Sequence, residues 1–560
     1  MAIGTPSSTG APGDSTVVAR ERPWLVLTIL CLGFFMILLD TTIVNIALPA
    51  LTTGLGASLD QVLWIVNAYT LVYAGLLITG GRLGDLLGAK RLFLIGLIVF
   101  TAASALCGFA GTPGQLIAAR AVQGIGGALL TPQTLAMLTV SFPPNRRGAA
   151  YGVWGAVAGL ATIAGPVFGG WLVSAFGWRW IFFVNLPIGI AVLVLGSRYL
   201  PNLRFNRKHR LDWRGTLLVS AGLFLLCFGL IEGPSHRWGT VWGPVSIPVF
   251  LAAGAGVLLV FAWQQRAHRD REPLIPSGIY ADRNFAVMSG VIAAISFGML
   301  GLFLPLVIFL QSVLGLDALH AGLALAPMSL ASIFSAPVGG RLADRYGGKD
   351  ALIAGLLLWA GGIGLVLQVT RLYINRTELV IGLVVAGLGL GLTFAPLQSI
   401  AMRNVVPNVA SAAAGLINTS RQLGALLGSA VTGAVLQTQL AGRLGSSARA
   451  NVQSLPDHFH KWLIEVFEKA AATGRDLAVG VGQTGAHLPA DLPASVRPAI
   501  EQVASRTFYD AYIPTMRITL IIPIAVLALA LIGSLFARQQ QNGSAPKEAP
   551  NQPEETRPAG

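Results

Sequence analysis

The chain has 560 residues, of which 54% are hydrophobic and only 11% are charged, and its mean hydropathy is +0.68. A water-soluble globular protein of this composition would expose large apolar patches, so that class is excluded and a membrane protein is indicated. The formal net charge of +14 resides in Lys and Arg segments between the apolar runs, a distribution that indicates membrane topology rather than nucleic-acid binding.

Apolar runs long enough to span a bilayer follow one another along the chain, and each predicts a transmembrane helix of roughly 20 residues. Fourteen such runs are present, at 24–49, 61–80, 92–111, 115–141, 149–175, 181–200, 215–232, 244–264, 285–312, 319–339, 351–370, 378–402, 411–436 and 516–536. The polar ends of the chain, residues 1–22 and 537–560, are predicted to be disordered tails. The fold class predicted from this pattern is therefore an all-α membrane protein.

The Lys and Arg residues of the short loops predict the orientation in the membrane. When the N-terminus is placed in the cytosol, nearly all of these residues fall on the cytosolic side. The short outer loops then hold only Arg179, Arg237, Arg371 and Arg376. An even number of spans puts both termini in the cytosol, which predicts a multi-pass protein of the inner (plasma) membrane.

A repeated segment divides the chain into two halves. Residues 80–90 align with residues 339–349, and the match includes Asp and Lys as well as the glycines. Parallel repeats of this kind build many secondary transporters around a central site. The predicted organisation is an N-terminal six-helix half at 23–200, cytosolic loops and two inserted helices at 201–283, and a C-terminal six-helix half at 284–536.

The C-terminal half contains a long segment, residues 437–515, that is predicted to lie outside the membrane between the last two spans. Apolar residues at helical spacing mark one face of an amphipathic helix in it. They are Phe459, Trp462, Leu463, Val466 and Phe467. A weaker stripe consists of Ile500, Val503, Thr507 and Phe508. We expect a cap or spacer on the outer face, and a helix that docks on a partner or on the membrane surface is the alternative; an accessory protein is left open.

No phosphate-binding loop, dinucleotide fingerprint, HExxH or CxxC motif occurs in the sequence. The sequence therefore predicts no enzyme activity, no cofactor, no metal site and no nucleic-acid partner. Without a recognisable nucleotide-binding device, the energy for any transport is expected to come from an ion gradient.

Three ionisable residues are predicted to lie within the membrane, where a charge costs several kcal/mol: Asp40, Arg120 and Arg421. Asp40 lies about 14 Å below the outer surface at a rise of 1.5 Å per residue, and Arg120 enters its span from the same side. Burial and a nearby guanidinium have opposite effects on a carboxyl group, so Asp40 is predicted to titrate near working pH and to carry a proton. The alternative is a static ion pair that clamps two helices.

Small residues give a second signal in the fifth span. Glycines at GxxxG spacing allow two helix backbones to approach closely, and a proline supplies a bend. These residues are Gly155, Gly159, Gly165, Pro166 and Gly169. Candidates for the wall of a substrate cavity, each of which also fits ordinary packing between helices, are Trp64, Asn67, Tyr69, Trp154, Asn418 and Arg421.

Together these motifs resemble the major facilitator superfamily, specifically its fourteen-helix drug:proton antiporters of the multidrug and quaternary-ammonium exporter type, over about residues 20–540. Residues 81–91 resemble the cytosolic loop motif of the superfamily, which implies a latch between the two halves. The latch residues carried over are Gly81, Asp85, Gly88, Lys90, Arg91 and Asp344. The fold implied is the major facilitator fold, with two six-helix halves plus two inserted helices.

Other segments match the same family in the same order. Residues 120–124 resemble the span-four motif whose arginine is implicated in proton coupling, and residues 155–170 resemble the motif of exporters. Residues 40–49, 177–185 and 418–424 are typical of the fourteen-helix group. The later spans lack the further acids that exporters of polycations in this family often carry.

The function predicted from the sequence is a proton-coupled secondary active exporter that moves amphiphilic drugs or toxic compounds by alternating access. Its predicted partners are a small amphiphilic molecule, protons and the lipid bilayer. One alternative is a dedicated exporter of a single metabolite, antibiotic, siderophore or lipid. A more remote alternative is a membrane sensor that keeps the fold but does not transport.

Overall fold

A computed structural model describes residues 22–202, 212–234, 236–267, 274–275, 277–316, 318–370, 376–455, 457–473 and 497–537. Nearly all of these residues are helical. The predicted tails, Arg371 and the middle of the long outer segment lie outside the described residues.

The helices follow the apolar runs of the sequence. The first seven are α1 Pro23–Leu55, α2 Leu59–Leu87, α3 Ala89–Phe109, α4 Pro113–Ser141, α5 Arg147–Phe176, α6 Trp180–Phe183 and α7 Asn185–Tyr199. A short antiparallel hairpin, β1 Thr240–Trp242 and β2 Val245–Ser246, then separates α8 Trp213–Glu232 from α9 Ile247–Ala267. The remaining helices are α10 Ser277–Ala281, α11 Arg283–Ile308, α12 Ala318–Tyr346, α13 Lys349–Val369, α14 Arg376–Ala401, α15 Ala410–Asn451, α16 Asp457–Thr473 and α17 Arg497–Leu535. The sequence did not predict the hairpin.

Short polar side chains fix several helix starts. Ser58 accepts a hydrogen bond from the backbone N–H of Gln61, whose side chain in turn accepts one from the backbone of Ser58, which forms a capping box at the start of α2. Thr112, Asp212 and Asp282 cap α4, α8 and α11 through side-chain oxygens. These caps satisfy backbone N–H groups that a helix leaves unpaired at its start.

Thirteen helical segments of the described chain are long and apolar enough to cross a membrane. The helix α4 is not among them, although its 29 residues exceed the required length, because it carries polar residues such as Arg120, Gln123 and Gln133. It packs against both α2 and α3. The predicted fourth span is thus a helix of the bundle whose sequence is unusually polar.

The helices form two groups that meet along a common boundary. Among the first seven helices, α4 packs on α2 and α3, and α1 packs on α5 and α7. In the second group, α14 packs on α12 and α13, and α15 packs on α11 and α17. The two groups meet mainly through α5 against α12 and through α15 against α2 and α4, while α8 and α9 pair with each other and join the bundle beside α2.

Two helices continue well beyond the predicted spans. The helix α15 has 42 residues, which at 1.5 Å per residue is about 63 Å and roughly twice the hydrocarbon thickness of a bilayer. The helix α17 starts at Arg497, well before the predicted start of the last span at 516. The described parts of the segment 437–515 are therefore helical extensions of the bundle, and the stripe that includes Ile500 and Phe508 lies on α17.

The predicted amphipathic helix is α16. Its residues Leu463 and Phe467 are buried, and α16 packs against the extension of α15, where Leu440 and Leu444 are buried as well. The apolar face of α16 is therefore covered within the chain, as expected of a cap or spacer.

Candidate functional site

The carboxylate of Asp40 on α1 and the guanidinium of Arg120 on α4 form a buried ion pair. Arg120 Nη1 lies 2.5 Å from Asp40 Oδ2, and both side chains are excluded from solvent, with exposed fractions of 0% and 1%. The structure thus brings together the two residues that the sequence placed at similar membrane depth. Breaking a buried pair of this kind by removing one partner costs about 3–5 kcal/mol because the remaining charge is left uncompensated.

Two amides complete the shell around Asp40. Gln123 Nε2 donates to Asp40 Oδ1 at 2.9 Å, and its Oε1 accepts from Arg120 Nη1 at 2.8 Å. Asn185 Nδ2, at the start of α7, donates to Asp40 Oδ1 at 3.1 Å and to Ser104 Oγ at 3.1 Å. Sequence reasoning did not select Asn185, Gln123 or Ser104, because a search for buried charge does not select neutral amides and hydroxyls.

Arg120 is further held by the neighbouring helix α2. Its Nε donates to the backbone oxygen of Ile65 at 3.2 Å, and its guanidinium lies 4.4 Å from the ring centroid of Tyr69. A cation over an aromatic face is attracted by the ring quadrupole. Tyr69, proposed above as a cavity residue, is therefore a buried contact of the arginine in this conformation.

The Asp40 carboxylate is enclosed by side chains of the N-terminal half. It accepts hydrogen bonds from Arg120, Gln123 and Asn185. The carboxylate faces neither hydrocarbon nor solvent in this conformation, because these donors surround it and its exposed fraction is 0%.

A second acidic residue, Asp85, joins the halves at one end of the bundle. It lies near the end of α2, and its two carboxylate oxygens accept from the backbone N–H groups of Ser411 and Ala412 at 3.0 and 2.9 Å, at the start of α15. A helix N-terminus carries a partial positive charge and unpaired N–H groups, so it attracts an anion.

Asp344, the repeat counterpart of Asp85, makes the reciprocal contact. Its oxygens accept from the backbone N–H groups of Gly148 and Ala149 at 2.6 and 2.8 Å, at the start of α5. Each half thus contributes one carboxylate to the first turn of a helix of the other half. We call the end of the bundle where these two contacts lie the latch end.

The remaining latch candidates have different surroundings. Gly81 lies where α2 crosses α15, and a Cβ there would fall 2.5 Å from the backbone oxygen of Ser411. Gly88 takes a φ of 93°, which allows the sharp turn between α2 and α3. The side chains of Lys90 and Arg91 make no hydrogen bond or ion pair within the described part of the chain.

The glycines of α5 face two different partners. Gly155 and Gly159 lie against the C-terminal half, where added Cβ atoms would fall 3.4 Å from Phe394 and 2.9 Å from Ile333. Gly165 and Gly169 lie against Thr42 and Ile43 of α1, within the N-terminal half. The glycine spacing predicted that α5 approaches another helix closely. In the structure α5 approaches helices on two sides, in the C-terminal half and at α1. Pro166 directly follows Gly165, within the second pair, and the helix continues through it.

The other cavity candidates separate into two groups. Trp64 packs beside Phe228 of the inserted helix α8, and Asn418 donates to the backbone of its own helix, so both serve packing in this conformation. Asn67 is half-buried on α2. Trp154 and Arg421 lie near the boundary between the halves.

A bundle of membrane-length helices built from two repeats, with a buried ion pair and reciprocal latch contacts, defines a membrane transporter rather than an enzyme. The family model described as Major Facilitator Superfamily matches residues 30–429. The chain therefore belongs to the Major Facilitator Superfamily, and the predicted superfamily and fold are confirmed.

Several known proteins are similar to the chain. The tetracenomycin C resistance and export protein of Streptomyces glaucescens is 34% identical over 539 residues, which covers 95% of each chain. The multidrug resistance protein Stp of Mycobacterium tuberculosis is 34% identical over 74% of this chain and 76% of its own. The crystal structure of the human organic anion transporter MFSD10 aligns with a TM-score of 0.55 at 15% identity over 90% of this chain and 99% of its own, a likeness that shows the fold alone.

Proposed function

We propose that the protein is a proton-coupled exporter of amphiphilic drugs or other toxic small molecules. The observation that carries this proposal is the fully buried Asp40–Arg120 pair at membrane depth, because an intramembrane charge is costly and is retained for function. The relatives named for antibiotic resistance and export support the direction of transport and the kind of substrate.

The orientation is part of the proposal. The latch end carries most of the Lys and Arg residues of the short loops, such as Lys90, Arg91, Arg146 and Arg345, and such residues favour the cytosolic side. The protein would then lie in the inner membrane with both termini in the cytosol and with α16 outside.

The proton step would act on the ion pair. Binding of a proton to Asp40 neutralises the carboxylate and removes its attraction to Arg120, which keeps its contacts with Ile65 and Tyr69. The helix that carries Asp40 also touches α5, because Thr42 Oγ1 donates to the backbone oxygen of Ala161 at 3.3 Å. A movement of α1 that follows protonation of Asp40 would therefore also displace α5, which packs on the C-terminal half.

Alternating access would follow from the two latch contacts. With Asp85 and Asp344 bound to the opposite halves, the latch end is closed. Release of both contacts would let the halves 23–200 and 284–536 rock about the centre and open the latch end. One charge that moves through the membrane potential contributes about 2.3 kcal/mol per 100 mV, enough to bias such a cycle.

The test is dye efflux from proteoliposomes with an imposed pH gradient. We expect the wild type to accumulate dye against its concentration gradient and to lose this ability when an ionophore collapses the pH gradient. The variant Asp40→Asn should equilibrate dye but should not concentrate it. The control Asp510→Asn, at an acid whose side chain is 45% exposed, should pump normally. Gradient-driven pumping by Asp40→Asn would remove Asp40 from the coupling step.

The breadth of substrates is a separate question, because one relative is named for a single compound and another for several drugs. A growth-inhibition panel of unrelated antibiotics and dyes in cells that express the protein addresses it. Protection against many scaffolds supports a multidrug exporter, and protection against one scaffold supports a dedicated exporter.

A further inference from the structure

Arg421 carries a charge at the depth predicted for the membrane, and no described residue bears a charge that pairs with it. It lies 11 residues after the start of α15 at Ala410, or about 16 Å along the helix axis, which is near the middle of a bilayer. Its side chain is half-buried and makes no ion pair or hydrogen bond with any described residue. Its one described contact is with the ring of Phe34, whose centroid lies 5.9 Å from the guanidinium carbon.

An aromatic cluster continues from that ring across the boundary between the halves. Phe34 on α1 stacks on Trp154 of α5 with centroids 4.2 Å apart, and Trp154 contacts Phe394 of α14 at 5.7 Å. The indole N–H of Trp154 is fully buried and has no hydrogen-bond acceptor among the residues that the structure describes. A buried donor without an acceptor lowers the stability of the folded protein, so a role for it is expected.

The charges near this cluster do not balance. Of the three ionisable residues placed at membrane depth, Asp40 and Arg120 neutralise each other, which leaves Arg421 as a net positive charge. The guanidinium and the indole N–H are both donors, and neither has an acceptor among the described residues. A group that complements both donors is therefore a negatively charged hydrogen-bond acceptor, and it would lie among aromatic rings.

We propose that Arg421 and the rings of Phe34, Trp154 and Phe394 bind the exported substrate, and that this substrate joins an anionic group to a planar aromatic body. The inference deepens the proposed function and rests on it. The anion binds the guanidinium, the indole N–H supplies a further hydrogen bond, and the rings stack on the aromatic body. The aromatic cluster is closed in this conformation because the two halves meet across Trp154 and Phe394, so the substrate enters when they separate.

The test compares two xanthene dyes of similar shape and opposite charge, the anion fluorescein and the cation rhodamine 123, for equilibrium binding to the full-length protein in lipid nanodiscs. We expect fluorescein to bind more tightly. Arg421→Gln should weaken fluorescein binding about tenfold or more, as expected when a charge-assisted hydrogen bond is lost. Arg421→Lys should retain part of the affinity, and Trp154→Phe, which keeps a ring but removes the N–H, should weaken it about threefold.

Arg443→Gln is the matched control, because Arg443 lies on the same helix and its side chain likewise makes no hydrogen bond or ion pair with the described residues. It should bind both dyes as the wild type does. Correct folding of each variant is checked by its elution as a single species and by its thermal unfolding. Failure of fluorescein to bind, or equal binding by wild type and Arg421→Gln, overturns the proposal.

The two proposals can fail separately. If the pH gradient drives efflux of rhodamine 123 and this efflux requires Asp40, while Arg421→Gln leaves fluorescein binding unchanged, proton-coupled export stands and the proposed anion site is refuted. If fluorescein binding depends on Arg421 but no pH gradient drives its movement, the site stands and proton coupling falls.

Discussion

The two halves share a fold, but their buried polar side chains have different hydrogen-bond partners. In the N-terminal half, Asp40, Arg120, Gln123 and Asn185 bond across three helices. In the C-terminal half, buried hydroxyls mostly bond to carbonyls of their own helix, as Ser289, Thr515 and Thr519 do. When hydrogen bonds join several helices, a change in the charge of one side chain can shift those helices. A hydrogen bond within one helix does not constrain the neighbouring helices. This difference supports the choice of the N-terminal half as the site of the proposed proton exchange.

The largest expected effect comes from breaking the ion pair of the N-terminal half. Arg120→Ala should lower the free energy of unfolding by about 3–5 kcal/mol, because it leaves the Asp40 charge buried without a partner. Arg449→Ala removes the same residue type from an exposed ion pair with Glu468, and such pairs contribute about 0.2–1 kcal/mol. Denaturant titration in mixed micelles measures both. Equal losses would show that the buried pair has no special part in the fold.

The latch contacts allow a direct comparison of equivalent residues. Asp85 is more deeply buried than Asp344, so solvent replaces its two backbone hydrogen bonds less well. We expect Asp85→Asn to weaken the closed latch end by about 2 kcal/mol and Asp344→Asn by about 1 kcal/mol. Spin labels on cysteines that replace the exposed Leu87 and Tyr346 report the separation of the halves.

In that experiment both variants should lengthen the distance distribution, with the larger shift for Asp85→Asn. Unchanged distances in both would mean that other contacts hold the latch end closed. The measurement requires a background in which the native cysteines, which are buried in the structure, are replaced by serine or alanine.

The smallest expected effect concerns one donor to Asp40. Asn185→Ala removes one of the hydrogen bonds to the Asp40 carboxylate, so it should lower the free energy of unfolding by about 1 kcal/mol and slow gradient-driven dye efflux. Ser289→Ala in the C-terminal half, whose hydroxyl bonds to its own helix, should leave the efflux rate at the wild-type value. An unchanged rate in both variants, or an equal loss in both, would contradict a special part for Asn185 in the cluster around Asp40.

Much of the fold follows from composition alone. In a membrane, a long apolar run can satisfy its backbone hydrogen bonds only as a helix, so the spans were predictable. Their arrangement was implied by the resemblance to the family. The meeting of Asp40 with Arg120 was predictable because few charges occur at that depth. Gln123 and Asn185 lie within the motifs 120–124 and 177–185 but were not selected as site residues, because an uncharged amide in an apolar run gives no sign of its partner.

The helical extensions were missed for another reason. A search for spans stops where hydropathy falls, but α15 continues as a helix because packing on a neighbour stabilises it there. Leu436, Leu440 and Leu444 recur every fourth residue and are buried, so a search for helical periodicity beyond the span would have found them. The reciprocal partners of Asp85 and Asp344 could not be found from sequence, because backbone N–H groups carry no residue-specific signal.

The unbroken course of α15 has a mechanical consequence. One end of this helix receives the carboxylate of Asp85, and the other end packs against α16. A rigid helix of this length acts as a lever arm, so a small tilt at its base becomes a larger displacement at its tip. A nanobody raised against the tip would therefore sense whether the latch end is closed.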